Sequence, residues 1–205
     1  MAVKRPRPDF SMETHFKGLI CGIDEAGRGP LAGPVVAAAV ILDKGRSPAG
    51  ITDSKLLTRA KREDLCRKIK NQAAIGIGIA DVDEIEEVNI LNATLAAMVR
   101  AYDQLIPVPA VALVDGNRSP KLNCRVHTVV GGDALSLSIA AASIVAKVTR
   151  DNLMVNLAGS YPGYGWERNA GYATSEHLAA LALHGVTPHH RRTFAPVSRA
   201  LRANN

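Results

Sequence analysis

Residues 19–42 read LICGIDEAGRGPLAGPVVAAAVIL, two apolar segments joined by a loop rich in glycine and proline. The apolar run before Asp24 and the β-branched run over 35–42 are each typical of a buried strand. The connection between them is too short for a crossover helix, so we predict an antiparallel hairpin whose loop carries the unusual residues.

Strands and helices alternate through the rest of the chain. Isoleucines that alternate with glycines over 75–79 predict a strand, and apolar runs predict two more at 110–114 and 126–130. Helical patterns lie between and after these strands, at 55–70, 81–100, 134–156 and 175–183. The alternation indicates an α/β domain, and the early hairpin makes its sheet mixed rather than all parallel.

Composition limits the classes of partner. Lys and Arg number 25 against 19 Asp and Glu, a net charge of +6, which favours an acidic partner, with nucleic acid first. The longest apolar stretch, 31–42, is interrupted by glycine and proline and is too short to cross a bilayer, so we expect no membrane partner. Three widely spaced cysteines and the absence of a secretory signal favour a cytoplasmic protein with reduced thiols.

Acidic residues stand where strands end. Asp24 and Glu25 end the first strand, Asp115 ends a later one, and Asp133 follows two glycines. Clustered carboxylates repel one another unless a cation neutralises them, and oxygen-only ligands favour Mg²⁺ or Mn²⁺ over zinc. A pair of surface acids is the alternative for Asp24 and Glu25. Successive strand side chains point to opposite faces, so both serve one site only if the strand ends or bulges there.

The segment Gly27-Arg28-Gly29 is a candidate for phosphate contact. Glycines permit a close backbone approach, and amide groups together with a guanidinium grip an anion. The alternative is a tight hairpin turn with an exposed arginine. Gly22 and Gly27 have the spacing of a P-loop, but Arg28-Gly29 replaces its Lys-Ser/Thr pair, which argues against nucleotide triphosphate binding.

Two segments near the C-terminus have two interpretations each. The loop over 161–174 holds four of the eight aromatic residues, and its rings, beside Arg150 and Arg168, either stack on a sugar or base or pack a core. The run from His189 to Arg192 suits phosphate contact or a solvated tail.

Ser143, in a small-residue stretch, is interpreted as a helix-packing residue.

Several blocks together resemble the signatures of bacterial ribonuclease HII, the type 2 ribonuclease H. They are CGIDEAGRGPLAGPV at 21–35, TDSKLL at 52–57, VDGN at 114–117, GD at 132–133, SIAAASIVAKVTRD at 138–151 and HGVTPHHRRTFAPV at 184–197. The resemblance covers roughly residues 18–197, and the blocks follow one another in the order that the family shows.

The resemblance implies a ribonuclease H-like fold: a mixed five-stranded sheet flanked by helices, with a small helical C-terminal region. It divides the chain after a flexible basic tail (1–16), which its composition predicts and which lies outside the resemblance, into a catalytic domain (17–158) and a C-terminal loop and helical region that completes the substrate site (159–205). It implies an endoribonuclease that uses two metal ions. The substrates are RNA–DNA hybrids and duplex DNA with embedded ribonucleotides, cut on the 5′ side to leave 3′-hydroxyl and 5′-phosphate ends, as in ribonucleotide excision repair.

The resemblance also implies roles for individual residues. The catalytic and metal-binding acids fall on Asp24, Glu25, Asp115 and Asp133. Substrate-binding positions fall on Gly27, Arg28 and Gly29, which sense the ribose 2′-hydroxyl, on Tyr172, which stacks against the DNA side of the junction, and on Ser54, Lys55 and Lys147. Ala173 stands where family members often have glycine or proline, which weakens the assignment of Tyr172. Leu56 stands where many have a second lysine, which removes one possible phosphate contact.

Two other classes of function remain open. A structure-selective DNA nuclease or resolvase of the same broad fold also uses clustered acids, and it cuts an all-DNA substrate. A non-catalytic nucleic-acid-binding protein needs only the basic faces, and it shows salt-sensitive binding without a metal-dependent product. For the ribonuclease we expect a monomer.

Overall fold

A single five-stranded sheet organises the computed structural model, which describes residues 7–203 of the 205-residue chain. Its strands, in spatial order β3-β2-β1-β4-β5, are β1 (Ile20–Ala26), β2 (Val35–Ile41), β3 (Ala74–Ala80), β4 (Val111–Asp115) and β5 (Arg125–Val129). Strands β1, β2 and β3 form antiparallel pairs, whereas β1, β4 and β5 run parallel. The predicted hairpin and mixed five-stranded sheet are confirmed.

Six helices accompany the sheet within the described residues: α1 (Arg59–Gln72), α2 (Val82–Asp103), α3 (Leu137–Ser160), α4 (Trp166–Asn169), α5 (Ser175–His184) and α6 (Ala195–Ala203). Helix α3 begins three residues later than predicted because Gly132–Ala134 form a 3-10 turn and the Ser136 hydroxyl then caps α3 by accepting the Ile139 N–H at 3.2 Å. None of these helices combines the length and hydrophobicity that a bilayer crossing requires.

The two faces of the sheet pack against different helices. Cys21 and Ile23 of β1 join a core cluster with α2, whereas Gly22 between them faces α3. Helix α3 lies so close to β1 that a Cβ on Gly22 would stand 2.1 Å from the Ser138 carbonyl carbon. By the alternation of strand side chains, Asp24 follows Gly22 onto the α3 face.

The segment before β1 differs from its prediction. The prediction of a flexible tail over 1–16 is wrong for the second half of that segment, which packs against the start of α3. The Glu13 carboxylate is buried and accepts hydrogen bonds from the Ser136 hydroxyl at 2.7 Å and the Ser138 N–H at 3.0 Å. A carboxylate is a favourable partner for the free N–H groups of a helix start, which explains why a polar segment is held. Residues 1–6 lie outside the described residues.

The predicted boundary between 17–158 and 159–205 stays a prediction. It falls in the last turn of α3, and α4, α5 and α6 follow it. Helix α6 was not predicted, because a single fully buried residue, Val197, anchors it against Leu31 and Leu181.

Candidate active site

The carboxyl ends of β1 and β4 bring the first two acids together. These strands are parallel neighbours whose register pairs Ile23 with Val114, so Asp24 and Asp115 occupy the next position on each strand. Asp24 is buried at 4% exposure, and Asp115 is partly buried. The sequence prediction that strand ends gather the acids is therefore matched by the placement of these two residues.

Asp133 reaches the same edge through the turn after β5. The N–H of Gly132 donates to Asp115 Oδ1 at 2.7 Å, which ties the turn that carries Asp133 to the end of β4. Asp133 is itself 7% exposed. This backbone hydrogen bond holds the turn at the end of β4, so Asp133, the next residue of the turn, lies near Asp115.

Glu25 lies on the other face of the sheet from Asp24. The β1–β2 ladder continues through Asp24–Ala38 and Glu25–Ala37 without a bulge, and β1 ends one residue later at Ala26, so both acids stand at the end of the strand. Because Cys21 and Ile23 face α2, Glu25 faces α2 as well. Asp115 is in register with Asp24, and its charge acts on both Asp24 and Glu25.

Electrostatics show how closely these acids are coupled. Burial raises the pKa of Asp24 well above its usual value, and the charges of Glu25 and Asp115 raise it further. Burial raises the pKa of Glu25 despite the opposing charge of Arg28, with Asp115 adding to the rise. Burial likewise raises the pKa of Asp115, while the Gly132 N–H opposes it. Each acid is therefore easier to ionise once a cation stands beside it.

The donor chemistry of this edge fits a divalent cation. Its side chains supply carboxylate oxygens, the ligands that Mg²⁺ and Mn²⁺ prefer. Within residues 7–203, no three His, Cys, Asp or Glu side chains already converge into a complete ligand set. The fit to a cation therefore rests on the buried, mutually repelling carboxylates rather than on a preformed cage.

One positive side chain already reaches the cluster. Lys55 Nζ lies 3.1 Å from Asp133 Oδ2 and 3.8 Å from Asp53 Oδ1. Burial works to lower the pKa of Lys55, but the hydrogen bond and charge of Asp133 outweigh it and raise that pKa. Lys55 thus lies at the acidic edge, with most of its side chain exposed.

Two serines connect this edge to α3. Ser54, a predicted substrate-binding residue, is buried, and its Oγ lies 2.8 Å from Ser143 Oγ. The Ser143 hydroxyl also lies near Asp24 and acts to lower the pKa of that acid against the effect of burial. The packing interpretation of Ser143 was therefore incomplete. A hydroxyl in the alanine-rich face of α3 was the available signal.

The glycine-rich loop after β1 comes close to the C-terminal half of the chain. Gly27 has a φ of +101°, and a Cβ there would stand 2.0 Å from Arg150 Nε, so no other residue fits. The Arg28 side chain is half exposed, with Nη1 3.4 Å from Glu25 Oε1. Gly29 faces the Tyr172 ring, 3.8 Å from where its Cβ would lie. The loop thus adjoins both the acids and Tyr172.

The aromatic loop has divided roles. Tyr164 and Trp166 are buried, and Trp166 Nε1 donates to His177 Nε2 at 3.0 Å, so core packing is the correct interpretation for both. Tyr172 is 44% exposed, and Lys147 Nζ lies 5.6 Å from its ring centroid. Tyr172 is the ring of this loop whose position suits stacking on a substrate.

A basic groove begins beside Tyr172. It has a volume of about 300 Å³ and is lined in part by Arg59, Arg62, Lys147 and Arg168. Asp151 accepts from Lys147 Nζ at 2.7 Å and from Arg62 Nη1 at 3.3 Å, which holds these cations at the groove. Another cavity, of about 490 Å³, lies at the opposite end of β1 and contains none of the predicted site residues.

The basic run near the C-terminus is not a solvated tail. His190 and Arg191 are both fully buried, and Arg191 donates to backbone carbonyls of the loop after β1. Arg150, which the sequence places beside the aromatic loop, is also fully buried and bonded to carbonyls, including that of Ala170 in this loop. The interpretation as a solvated tail is wrong for Arg191, because backbone acceptors far away in sequence satisfy it.

A sheet of this order, with buried acids at one edge beside a basic groove, defines a phosphodiester-cleaving nuclease of the ribonuclease H-like fold. A family model described as Ribonuclease HII matches residues 21–197. The ribonuclease HII of Paramagnetospirillum magneticum is 58% identical, over 94% of this chain and 98% of that protein. That of Rhizorhabdus wittichii is 57% identical, over 94% and 95% respectively.

Solved structures agree with this match. The ribonuclease H2 of Pyrococcus horikoshii superposes with a TM-score of 0.76 at 28% identity, covering 90% of this chain and 98% of that one. Bst-RNase HIII, solved with Mn²⁺, shares the fold at a TM-score of 0.72 and 20% identity, covering 90% of this chain and 70% of that one. The chain belongs to the ribonuclease HII family, whose members are metal-dependent endoribonucleases that act on RNA–DNA hybrids.

Proposed function

We propose that this enzyme also cuts duplex DNA on the 5′ side of embedded ribonucleotides, with Asp24, Glu25, Asp115 and Asp133 as its catalytic acids. The observation that carries the proposal is the coupling of Asp24, Glu25 and Asp115 at one sheet edge, where burial and mutual repulsion raise their pKa values. Two Mg²⁺ or Mn²⁺ ions suit this all-oxygen set. Held by these four acids, such ions would lower the pKa of the attacking water and would stabilise charge on the departing 3′ oxygen.

The chain's own residues supply positioning and selectivity. Gly27, Arg28 and Gly29 bring backbone amides against the ribose, where a 2′-hydroxyl is the only difference between RNA and DNA. Losing a hydrogen bond to that hydroxyl leaves protein groups unpaired, so selectivity is large. Tyr172 stacks on the adjoining nucleotide, Lys147 and the basic groove contact phosphates, and Lys55 and Ser54 support the acidic edge.

The proposed setting is ribonucleotide excision repair by a monomer in the cytoplasm. The three cysteines are free in the structure, with Cys21 and Cys66 buried, which suits a reducing compartment. The proposed partners are RNA–DNA hybrids and ribonucleotide-containing duplex DNA.

A cleavage assay tests the proposal. The substrate is an end-labelled duplex with one ribonucleotide, incubated with and without Mg²⁺ or Mn²⁺ beside an all-DNA duplex of the same sequence. We expect the wild type to cut only the first, only with metal, and on the 5′ side. Asp115→Asn lowers the rate by about 10³-fold, because a carboxylate is lost where charge must be balanced. Asp103→Asn, an exposed change at the end of α2, is the matched control.

Other products distinguish the alternatives. Cleavage of the all-DNA duplex supports a structure-selective DNA nuclease. Salt-sensitive binding with no metal-dependent product supports a non-catalytic binding protein. Wild-type activity in Asp115→Asn removes this acid from the catalytic set.

A further inference from the structure

The carbonyl oxygens of the loop after β1 point inward to one buried guanidinium group. Arg191, with 0% exposure, donates from Nη2 to the Gly27 carbonyl at 2.6 Å and from Nη1 to those of Arg28 at 3.0 Å and Pro30 at 2.9 Å. Its Nε and Nη2 also donate to the Gly33 carbonyl at 3.0 and 2.8 Å. All three nitrogens of one guanidinium are thus committed to this loop.

A second buried guanidinium supports the far side of the same loop. Arg150 donates to the carbonyls of Ala32 at 3.0 Å and Pro34 at 2.9 Å, and to that of Ala170 at 2.9 Å. Burial lowers the pKa of Arg191 to about 9 and that of Arg150 to about 10, so both remain cations at neutral pH. Neither forms an ion pair with a carboxylate in the part of the chain that the structure describes.

This arrangement fixes the direction of two amide groups. In a trans peptide, the C=O and the following N–H point in opposite directions. Because the Gly27 and Arg28 carbonyls point inward, the N–H groups of Arg28 and Gly29 point outward, on the side of Tyr172. Neither N–H donates to another group among residues 7–203.

We propose that Arg191 is a positioning residue for ribonucleotide recognition: it holds the Gly27 and Arg28 carbonyls inward and thereby aims the Arg28 and Gly29 N–H groups at the substrate. Its positive charge, without a carboxylate partner, lies directly behind these donors and favours the anionic backbone of the nucleic acid. The inference rests on the proposed function, because it concerns the loop that is proposed to contact the ribose 2′-hydroxyl. A donor displaced by about 1 Å costs about 10²-fold in rate.

The test separates catalysis from folding and from general DNA binding. The first variant, Arg191→Met, keeps an unbranched apolar stem and removes the donors and the charge of the guanidinium group. Three quantities are measured: the single-turnover rate on a duplex with one ribonucleotide at saturating enzyme, the affinity for the all-DNA duplex, and the far-UV circular dichroism. Arg199→Met, an exposed change on α6 with the same loss of charge, is the control.

We expect Arg191→Met to lose about 10²-fold in single-turnover rate, while its all-DNA affinity stays within about twofold of the Arg199→Met control. An unchanged rate overturns the proposal. A rate and an affinity that fall together, in proportion to lost circular dichroism, also overturn it, because the residue then acts only on stability.

A milder variant covers the case in which Arg191→Met does not fold. Arg191→Lys keeps the charge, but an ammonium group cannot span carbonyls that a planar guanidinium reaches from three nitrogens. We expect a folded protein with a rate lowered by about 10-fold, and a wild-type rate overturns the proposal. If the wild type itself leaves the ribonucleotide duplex uncut, the proposed function fails. If the wild type cuts and both variants cut equally fast, only the role of Arg191 fails.

Discussion

At the carboxyl edge of the sheet, Asp24 and Asp115 are buried beside other acids, whereas beneath the loop after β1, Arg150 and Arg191 are buried beside carbonyl oxygens. Both regions take charge out of water, which is costly unless the charge is compensated. The arginines are compensated by the chain itself through hydrogen bonds. The acids are compensated only in part, by the Gly132 N–H at Asp115 and by Arg28 near Glu25, and their mutual repulsion raises their pKa values. The comparison separates charge that the chain balances by itself from charge that it leaves for a cation.

The difference predicts opposite responses to neutralising substitutions. Removing an acid that its neighbours repel relieves the folded state, although it harms the reaction. Removing an arginine that its neighbours require leaves buried carbonyls unpaired. Neutralising substitutions are therefore expected to raise the free energy of unfolding at the first region and to lower it at the second.

Asp24→Asn provides the largest expected effect. We expect metal-dependent cleavage to fall by about 10³-fold or more, because a carboxylate at the centre of the acids is lost. The free energy of unfolding, measured by urea denaturation without metal, rises by about 1–3 kcal/mol, because a buried charge is removed from beside Glu25 and Asp115. Asp103→Asn serves as the exposed control. A less stable Asp24→Asn protein contradicts the comparison.

Arg150→Met tests the second region. We expect the free energy of unfolding to fall by about 3–5 kcal/mol, because three buried carbonyls lose a charged donor at once. Arg168 is exposed and pairs with Glu167 and Glu176, so Arg168→Met changes stability by less than about 1 kcal/mol. Both free energies of unfolding are measured by urea denaturation. Equal losses of stability in the two variants contradict the idea that a buried guanidinium stabilises the fold more than an exposed one.

The buried histidine beside Arg191 offers a smaller and pH-dependent effect. His190 Nδ1 accepts the Thr187 N–H at 3.0 Å, so protonation of Nδ1 would break this hydrogen bond. Burial, aided by the charges of His177 and His189, lowers the pKa of His190 to about 4. The unfolded chain, with a histidine pKa near ~6.5, binds more protons than the native state in this window. Stability is thus complete above about pH 6.5 and lost as the pH falls toward 4.

The expected loss is about 2 kcal/mol in the free energy of unfolding between about pH 7 and pH 5. Urea denaturation at the two pH values measures it. His190→Gln removes the titrating group, so its stability is expected to vary less over this range. Identical pH dependence in the two proteins assigns the loss to other groups.

Much of the fold follows from local patterns in the sequence. Runs of β-branched residues and the short loop after Ala26 predict the hairpin, and acids placed where strands end predict the acidic edge. These signals are local because side-chain alternation and strand length are local properties. The catalytic and binding roles of the individual residues stay predictions until the assays above are done.

The fates of Arg150 and Arg191 do not follow from such patterns. Their partners are main-chain carbonyls, which every residue carries, so no side-chain motif marks them. Glu13 is hidden for the same reason, since it binds an N–H and a hydroxyl at the start of α3. Trp166 and Tyr164 have the composition of a binding loop and the burial of a core, and only the tertiary contacts distinguish these.

The bonds between Arg191 and the loop after β1 join positions 158 to 164 residues apart in the chain. During synthesis the loop therefore leaves the ribosome long before the side chain that shapes it. Until Arg191 emerges, the loop after β1 lacks the guanidinium group that binds its carbonyls. This loop therefore reaches its final order only late in the synthesis of the chain.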